Sequence, residues 1–473
     1  MYRDCRNLSV TVSSAASLGM LEASVDSYLG MRKDVGDCAL ALAAADPECP
    51  LGHCLVGYLN LHAGKREMLA NARQSLEKAR ACPLTPREHF HVGALDAWLN
   101  GNFVRALDRW QEILATHPHD VLALRLAQFI TSYLGRSQAL LETVTRVLPA
   151  WDASLPAYGF VLGCYAYGLE ENGEYERAER AGRAAVDRNP QDLWATHAVA
   201  HVMEMQGRAR EGLAWVDSQR PHLKSCGNFV RHLWWHQALF LLTLANYDGV
   251  LALYDREVRA ESTEEYLDIA NSASLLWRLE QAGVDVGDRW RELAARAGSR
   301  AEDHLYVLAD LHYVIALAAG SPRSAAELFL EACRNFAHDN SRTEAQVMQS
   351  VGLGTAHAIV HHRNKRFAEA LEIALPLRQN FHAIGGSHAQ RDIFDQLLID
   401  SAIAADRFPL AKTLLEDRTA ARPGDLWAWK HLARIASLLR DESSLARAEE
   451  NIHSLLARNA ETNNVALPGG NPA

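Results

Sequence analysis

The sequence predicts an all-α protein in which helical hairpins stack into a superhelical solenoid. Small residues recur 12 positions apart on either side of a turn signal, as at Ala94 and Ala106. The same unit returns after 34 residues, since Ala166 and Ala200 occupy equivalent positions. No stretch shows the alternating β-branched residues of a strand of useful length. Together these observations favour a helical repeat array over a sheet protein.

Each unit predicts two packed helices. A small residue on each helix lets the pair approach closely, a glycine or asparagine makes the turn, and a proline ends the second helix. Gly101 and Gly173 lie at two such turns, and Pro118 and Pro190 lie 12 residues beyond the second anchors. Further anchors are Ala200 and Gly212, Ala238 and Val250, Ala358 and Ala370, and Phe408, Ala411 and Pro423. A period near 34 with such anchors is the tetratricopeptide pattern, whose stacked hairpins have a concave inner surface.

The repeat array is predicted to occupy residues 48–458. Residues 1–47 are expected to form N-terminal capping helices that end at Asp46-Pro47. Residues 459–473, which contain several Asn, Gly and Pro residues, predict a disordered C-terminal tail. Between about 260 and 350 the anchor residues drift, so the pattern does not define the helix register there.

Composition narrows the functional classes. The chain has 48 basic and 58 acidic residues, a net charge of −10 and no basic block, so nucleic acid and anionic membranes are not expected partners. The longest apolar run, Leu233–Ala245, is too short to span a bilayer. The eight cysteines are scattered without a CxxC pair, and the N-terminus has no signal-like apolar core. These features favour a cytoplasmic protein with free thiols.

Four histidines and a glutamate fall on two neighbouring repeats. His197, His201 and Glu204 are spaced four and three apart, and His232 and His236 are four apart. On a helix, each set lies along one face. Chance predicts about one such histidine pair in a chain with 21 histidines, so the spacing alone is weak support. The repeat register adds that both sets lie on first helices, which face the concave surface.

This arrangement predicts a site for a divalent metal such as zinc, iron or manganese. The four histidines would be its ligands, and Glu204 would be a further ligand or the general base. In an earlier repeat, Glu88 and His91 occupy the same concave stripe. They are predicted to act as acid–base or orienting groups in the same concavity.

Other segments offer candidate contacts to a substrate. Trp235 is predicted to contact a substrate in the groove. Gly385-Gly386-Ser387 precedes a capped helix start whose N–H groups, together with Arg391, could hold an anion. The alternative is an ordinary capped helix with a surface pair between Arg391 and Asp392.

Two further histidine groups are weighed against a purely structural role. The first could orient a ligand histidine or simply form a solvated helix face, and comprises Asp303, His304, Asp310 and His312. The second lies where its helix should pack or face solvent, and comprises His357, His361 and His362. A structural role is favoured for both groups.

The sequence resembles the tetratricopeptide repeat protein 38 family. The matching segments are THAVAHVMEM at 196–205, HLWWH at 232–236, LTPREHFH at 84–91 and GGSHAQRD at 385–392. They carry the histidine pairs and the Ser387 segment, and the resemblance extends from the first helices to about residue 400. The resemblance implies a repeat superhelix and an intracellular location, but no particular reaction or substrate.

Two classes of function fit these observations. As an enzyme, the protein would carry out metal-assisted hydrolysis, or a related polar reaction, on a small molecule or peptide held in the concave groove. As a non-catalytic interaction scaffold, it would bind an extended or helical peptide in the same groove, and the histidines would only shape the surface. The pattern specifies neither the substrate nor the oligomeric state.

Overall fold

The computed structural model describes residues 2–461, with side chains placed as far as residue 458. It confirms the all-α solenoid of helix-turn-helix repeats. A two-stranded antiparallel ribbon, β1 (Tyr2–Arg3) and β2 (Ser9–Val10), precedes the helices. The ribbon was not predicted, because strands of two residues carry no periodic signal.

The first part of the solenoid is built from regular antiparallel helix pairs. Its helices are α1 (Ala15–Leu29), α2 (Val35–Ala45), α3 (Pro50–His62), α4 (Leu69–Ala81), α5 (Pro86–Leu99), α6 (Phe103–Thr116), α7 (Val121–Tyr133), α8 (Ser137–Val147), α9 (Tyr158–Glu170), α10 (Tyr175–Arg188), α11 (Leu193–Met205) and α12 (Ala209–Gln219). The second helix, α2, ends close to the predicted boundary at residue 47.

The remaining helices continue the winding. They are α13 (Val230–Thr243), α14 (Tyr247–Leu253), α15 (Tyr266–Gln281), α16 (Arg289–Ser299), α17 (Val307–Gly320), α18 (Arg323–Phe336), α19 (Thr343–Val347), α20 (Leu353–Arg363), α21 (Phe367–Ala374), α22 (His388–Ala404), α23 (Phe408–Ala421), α24 (Leu426–Leu439) and α25 (Glu442–Glu461). A π-helical turn (Met348–Gly352) joins α19 to α20. Residues 462–473, most of the predicted tail, lie outside the described residues.

The anchor residues of the repeat pattern lie at the helix contacts, as the hairpin interpretation requires. Ala94, Ala106, Ala200 and Ala238 have no exposed surface. The main apolar core runs from Val10 to Leu455, and three small clusters lie beside it between α8 and α12. Close packing of small residues therefore holds each hairpin together.

Successive turns of the superhelix contact each other. The backbone N–H of Thr343 donates to the carbonyl oxygen of Gly101 at 2.9 Å. The hydroxyl of Tyr306 donates to the carbonyl oxygen of Leu61 at 3.2 Å. Helices α15 and α17, in the segment whose register was undefined, are therefore covered both by neighbouring helices and by the earlier turn, which explains their departure from the repeat pattern.

The concave side is partly covered. The turn between α1 and α2 pairs with the loop after α12, since Lys33 N–H donates to Ser225 O at 3.1 Å and Gly227 N–H donates to Met31 O at 2.7 Å. These hydrogen bonds join residues almost 200 positions apart. The expected groove is consequently narrowed there to a half-open cavity.

Two general properties complete the description. Within residues 2–461, no helix combines the length and the apolar character that crossing a bilayer requires. All eight cysteines fall within the described residues, and none is joined in a disulfide. Cys49 and Cys54, the pair closest in sequence, are both buried as thiols.

The contact between superhelical turns can be tested at hairpin glycines. Gly135 has φ +63° and a Cβ there would overlap the carbonyl of His382, whereas Gly173 has φ +79° and open space around it. We expect Gly173→Ala to lower the free energy of unfolding by about 1–2 kcal/mol through its left-handed backbone alone. Gly135→Ala should lower it by about 1–3 kcal/mol more, because a backbone contact must also open.

Urea unfolding followed by circular dichroism measures both variants, with Gly173→Ala as the matched control. Equal losses of stability in the two variants would mean that the contact at Gly135 contributes nothing.

Candidate metal centre

The structure brings the four predicted histidines of α11 and α13 together. The ring centroids of His197 and His201 are 4.3 Å apart, those of His201 and His236 are 4.4 Å apart, and those of His197 and His232 are 4.9 Å apart. One ring nitrogen from each histidine lies within 4.8 Å of the other three. All four side chains are buried. We call this group the histidine cluster.

Oxygen acceptors behind two of the rings determine their tautomers. Nδ1 of His236 donates to Glu204 Oε2 at 2.7 Å, and Nδ1 of His232 donates to Asn271 Oδ1 at 3.0 Å. Because both oxygens are acceptors, each ring carries its hydrogen on Nδ1 and keeps a lone pair on Nε2. Nε2 of His236 is buried and has no hydrogen-bond partner.

The carboxylate of Glu170, paired with His388, lies behind the ring of His201. Nδ1 of His201 is 3.4 Å from Glu170 Oε2, without the alignment of a hydrogen bond, and its Nε2 is 2.9 Å from Nε2 of His197. The other oxygen of Glu170 is 2.7 Å from Nε2 of His388. Burial alone would raise the pKa of Glu170, but His388 and His201 hold it well below its usual range. Glu170 is therefore ionised beside the cluster.

Burial keeps three rings of the histidine cluster neutral. It lowers the pKa values of His197, His232 and His236 well below the ordinary 6.5, and neighbouring imidazoles lower them further. Burial also raises the pKa of Glu204. Burial lowers the pKa of His388 as well, but Glu170 and its neighbour raise it above the ordinary value. Neutral imidazoles are the form that binds metals.

A cavity of about 400 Å³ adjoins the cluster. His197 and His232 border it, while the fully buried His201 and His236 do not. The cavity lies between the first turn of the superhelix, the turn after α1 and the beginning of α22. A molecule in this cavity would contact one side of the histidine cluster, and Glu204 lies on the other side, facing a separate cleft.

Glu88 and His91 do not join the histidine cluster. Glu88 accepts hydrogen bonds from Thr11 N–H at 2.8 Å, Thr11 Oγ1 at 2.7 Å and Thr85 N–H at 2.9 Å, and it completes the capping box of α5. His91 pairs instead with Asp120, with Nε2 to Oδ2 at 3.1 Å. The curvature of the superhelix leaves this buried network in a separate place. The acid–base roles predicted for both residues therefore lack the required position.

The predicted substrate contacts are also rearranged. Trp235 is buried, stacks on His232 at 14° and donates from Nε1 to Ser274 Oγ at 3.0 Å, so it holds a cluster ring and does not line the cavity. Ser387 does line the cavity and closes its own capping box. Arg391 faces a different cleft, so the predicted anion site with Ser387 is not assembled. The alternative surface pair is absent too, because Asp392 binds Arg418.

The two remaining histidine groups lie elsewhere in the fold. His304 pairs with Asp310 at 3.1 Å and, with Cys333, forms a separate group of three possible metal donors. His312 donates to a backbone carbonyl within α17. His362 pairs with Asp400 at 2.6 Å. Neither group orients the histidine cluster. The solvated helix face favoured for the first group is wrong, because Asp303, His304, Asp310 and His312 are all buried.

Glu170, Asn271 and His388 were not predicted as part of the site. Glu170 precedes Glu204 by 34 residues, one repeat, so the repeat register itself contained a signal for it. Asn271 lies in the segment without a defined register. His388 comes from one superhelical turn later, and no local pattern indicates that contact.

No family model matches this chain. Similar solved structures include a human IFIT1 dimer with m7Gppp-AAAA, at 14% identity, TM-score 0.42 and coverage of 95% of this chain and 96% of that chain. A Rap protein complexed with competence and sporulation factor has 11% identity, TM-score 0.35 and coverage of 87% and 99%. Yeast Tom70 has 12% identity, TM-score 0.31 and coverage of 92% and 99%. At TM-scores this low, these neighbours say nothing about what this chain does.

Proposed function

We propose that the histidine cluster binds a divalent metal ion and that the protein catalyses a hydrolytic or related polar reaction on a small molecule in the adjacent cavity. The observation that carries this proposal is Nε2 of His236, a buried lone pair without a partner among neutral rings. An unsatisfied buried acceptor costs about 1–3 kcal/mol. One cation would give all four nitrogens a partner at once.

The surroundings of the cluster support a metal. A tetrahedral ion with nitrogen ligands at about 2.1 Å separates those nitrogens by about 3.4 Å, so an ion would draw the widest pair slightly inward. Glu204 and Asn271 accept the Nδ1 hydrogens of His236 and His232, as oxygen acceptors usually do for histidines that bind a metal through the other nitrogen. Zinc, iron and manganese all accept imidazole ligands, and the donor set does not choose among them.

The cavity determines how this chain would use the metal. A bound divalent ion polarises carbonyl groups and acidifies water. His197 and His232 would hold it beside the cavity, so a substrate would approach from that side. Glu204 orients His236 by accepting its Nδ1 hydrogen, and we assign it a positioning role in place of the predicted general base. Glu88 and His91 have no part in this proposal.

The alternative is a non-catalytic scaffold that binds a peptide. The turn after α1 covers part of the concave side, and the cavity of about 400 Å³ beside the cluster has the size of a small-molecule site. This geometry favours a small molecule over an extended peptide. Cytoplasmic location and kinship with the tetratricopeptide repeat protein 38 family remain proposals supported by the free thiols and by the matching segments.

Metal content distinguishes the two functions. We expect untagged protein to contain about one metal ion per chain, because the cluster offers one four-ligand site. The double variant His197→Ala/His232→Ala should lose at least about tenfold in metal content while staying folded. Elemental analysis by mass spectrometry provides the measurement.

His357→Ala/His361→Ala is the matched control, since these residues have the same spacing on α20 but lie outside the cluster. It should keep its metal. Wild-type protein that is fully folded without metal would favour the peptide scaffold instead.

Acid should destabilise the metal-free protein. His197, His232 and His236 have pKa values well below 6.5 when folded, so below pH 6.5 the unfolded chain binds more protons and stability falls as pH falls. Each such group adds up to about 1.4 kcal/mol per pH unit to this slope. Urea unfolding between pH 7.5 and 5.5 should show a smaller slope for His197→Ala/His232→Ala. Identical slopes would mean that the rings are not buried in the neutral form.

A further inference from the structure

One buried cation in the cavity wall has no anionic partner. The Arg125 guanidinium on α7 is 7% exposed, and its Nη1 has no hydrogen-bond partner. It stacks over Trp194 at 3.8 Å and makes a weak contact from Nη2 to Met31 Sδ at 3.7 Å. Among residues 2–458 no acid forms an ion pair with it. An unpaired buried charge is costly, so this position requires a compensating anion.

The nearby acids form no ion pair with Arg125. Asp192 uses Oδ1 to cap α11 by accepting from Ala195 N–H at 2.9 Å, and its Oδ2 has no hydrogen-bond partner. Burial raises the pKa of Asp192 to about 7, although the charge of Arg125 acts in the opposite direction. Glu265 also lines the cavity, but its charged neighbours are residues such as Lys65 and Arg231 on its own side. The guanidinium of Arg125 is thus left to whatever enters the cavity.

The other residues that line the cavity indicate the shape and polarity of the rest of such a ligand. The cavity is bordered by seven aromatic side chains, Tyr28, Phe129, Tyr133, Tyr167, Trp194, Phe229 and Tyr266. Arg32, on the turn after α1, adds a second guanidinium whose Nε lacks a partner. Flat aromatic walls favour a planar apolar body, and a guanidinium fork matches a carboxylate.

We propose that the cavity binds an organic carboxylate with an aromatic or other flat apolar body. Arg125 receives the carboxylate, the aromatic walls enclose the body, and the far end of the molecule meets the histidine cluster at His197 and His232. The assignment of the cavity as a substrate site rests on the function proposed above. The choice of an anionic substrate rests on Arg125 and not on the metal.

Binding of a matched pair of probes tests this assignment. Isothermal titration calorimetry of the full chain with 2-naphthoate and its neutral counterpart 2-naphthamide should show at least about tenfold tighter binding of the carboxylate. Arg125→Met keeps the apolar stem and should remove the preference, whereas Arg125→Lys keeps a charge and should retain part of it. Arg188→Met is the control, since Arg188 stacks on Tyr158 on the exposed face.

The preference must also survive removal of metal with a chelator. A preference that disappears with the metal would show that the carboxylate binds the ion, which overturns the role of Arg125 but leaves the proposed metal function intact. If the protein contains no metal as purified and still prefers the carboxylate, the role of Arg125 is supported while the proposed metal function fails. Equal binding of the two probes, no binding of either, or an unchanged preference in folded Arg125→Met would each overturn the inference.

Discussion

Contact between successive superhelical turns shapes the interior of this molecule. Backbone hydrogen bonds such as the one from Thr343 to Gly101 hold the later helices against the earlier hairpins. The winding is therefore tight, and the turn after α1 fills part of the concave side. What remains is a half-open cavity, and a charge in its wall is screened less than a charge on a flat surface would be.

The histidine cluster shows how such an interior can hold polar groups. His197, His232 and His236 are neutral there because burial disfavours the charged form and lowers their pKa values. The hydrogens of two rings are directed outward to Glu204 and Asn271, so that lone pairs face inward. The ionised Glu170 places negative charge behind the rings, which would offset a cation among them. Helix packing alone explains neither the tautomers nor this distribution of charge.

Arg125 and the histidine cluster border the same cavity but impose opposite demands. The cluster presents lone pairs and suits a cation, whereas the guanidinium suits an anion. The proposed organic carboxylate would satisfy both, with its charged end at Arg125 and its other end at the proposed metal site. Keeping an unpaired guanidinium and an unpartnered imidazole nitrogen inside the core opposes folding, which is typical of positions retained for binding.

The amino-acid sequence by itself determined the hairpins and the histidine stripe. Both depend on contacts within one repeat or between neighbouring repeats, so a spacing of 12 and a period of 34 encode them locally. Glu170 also occupies the repeat position equivalent to Glu204, 34 residues earlier. Only the tertiary structure decided that His388 meets Glu170, that Glu88 and His91 lie elsewhere, and that the groove narrows beside Arg125. The reason is physical: a small rotation at each repeat accumulates around the superhelix, and the residues that finally meet depend on that sum rather than on any local pattern.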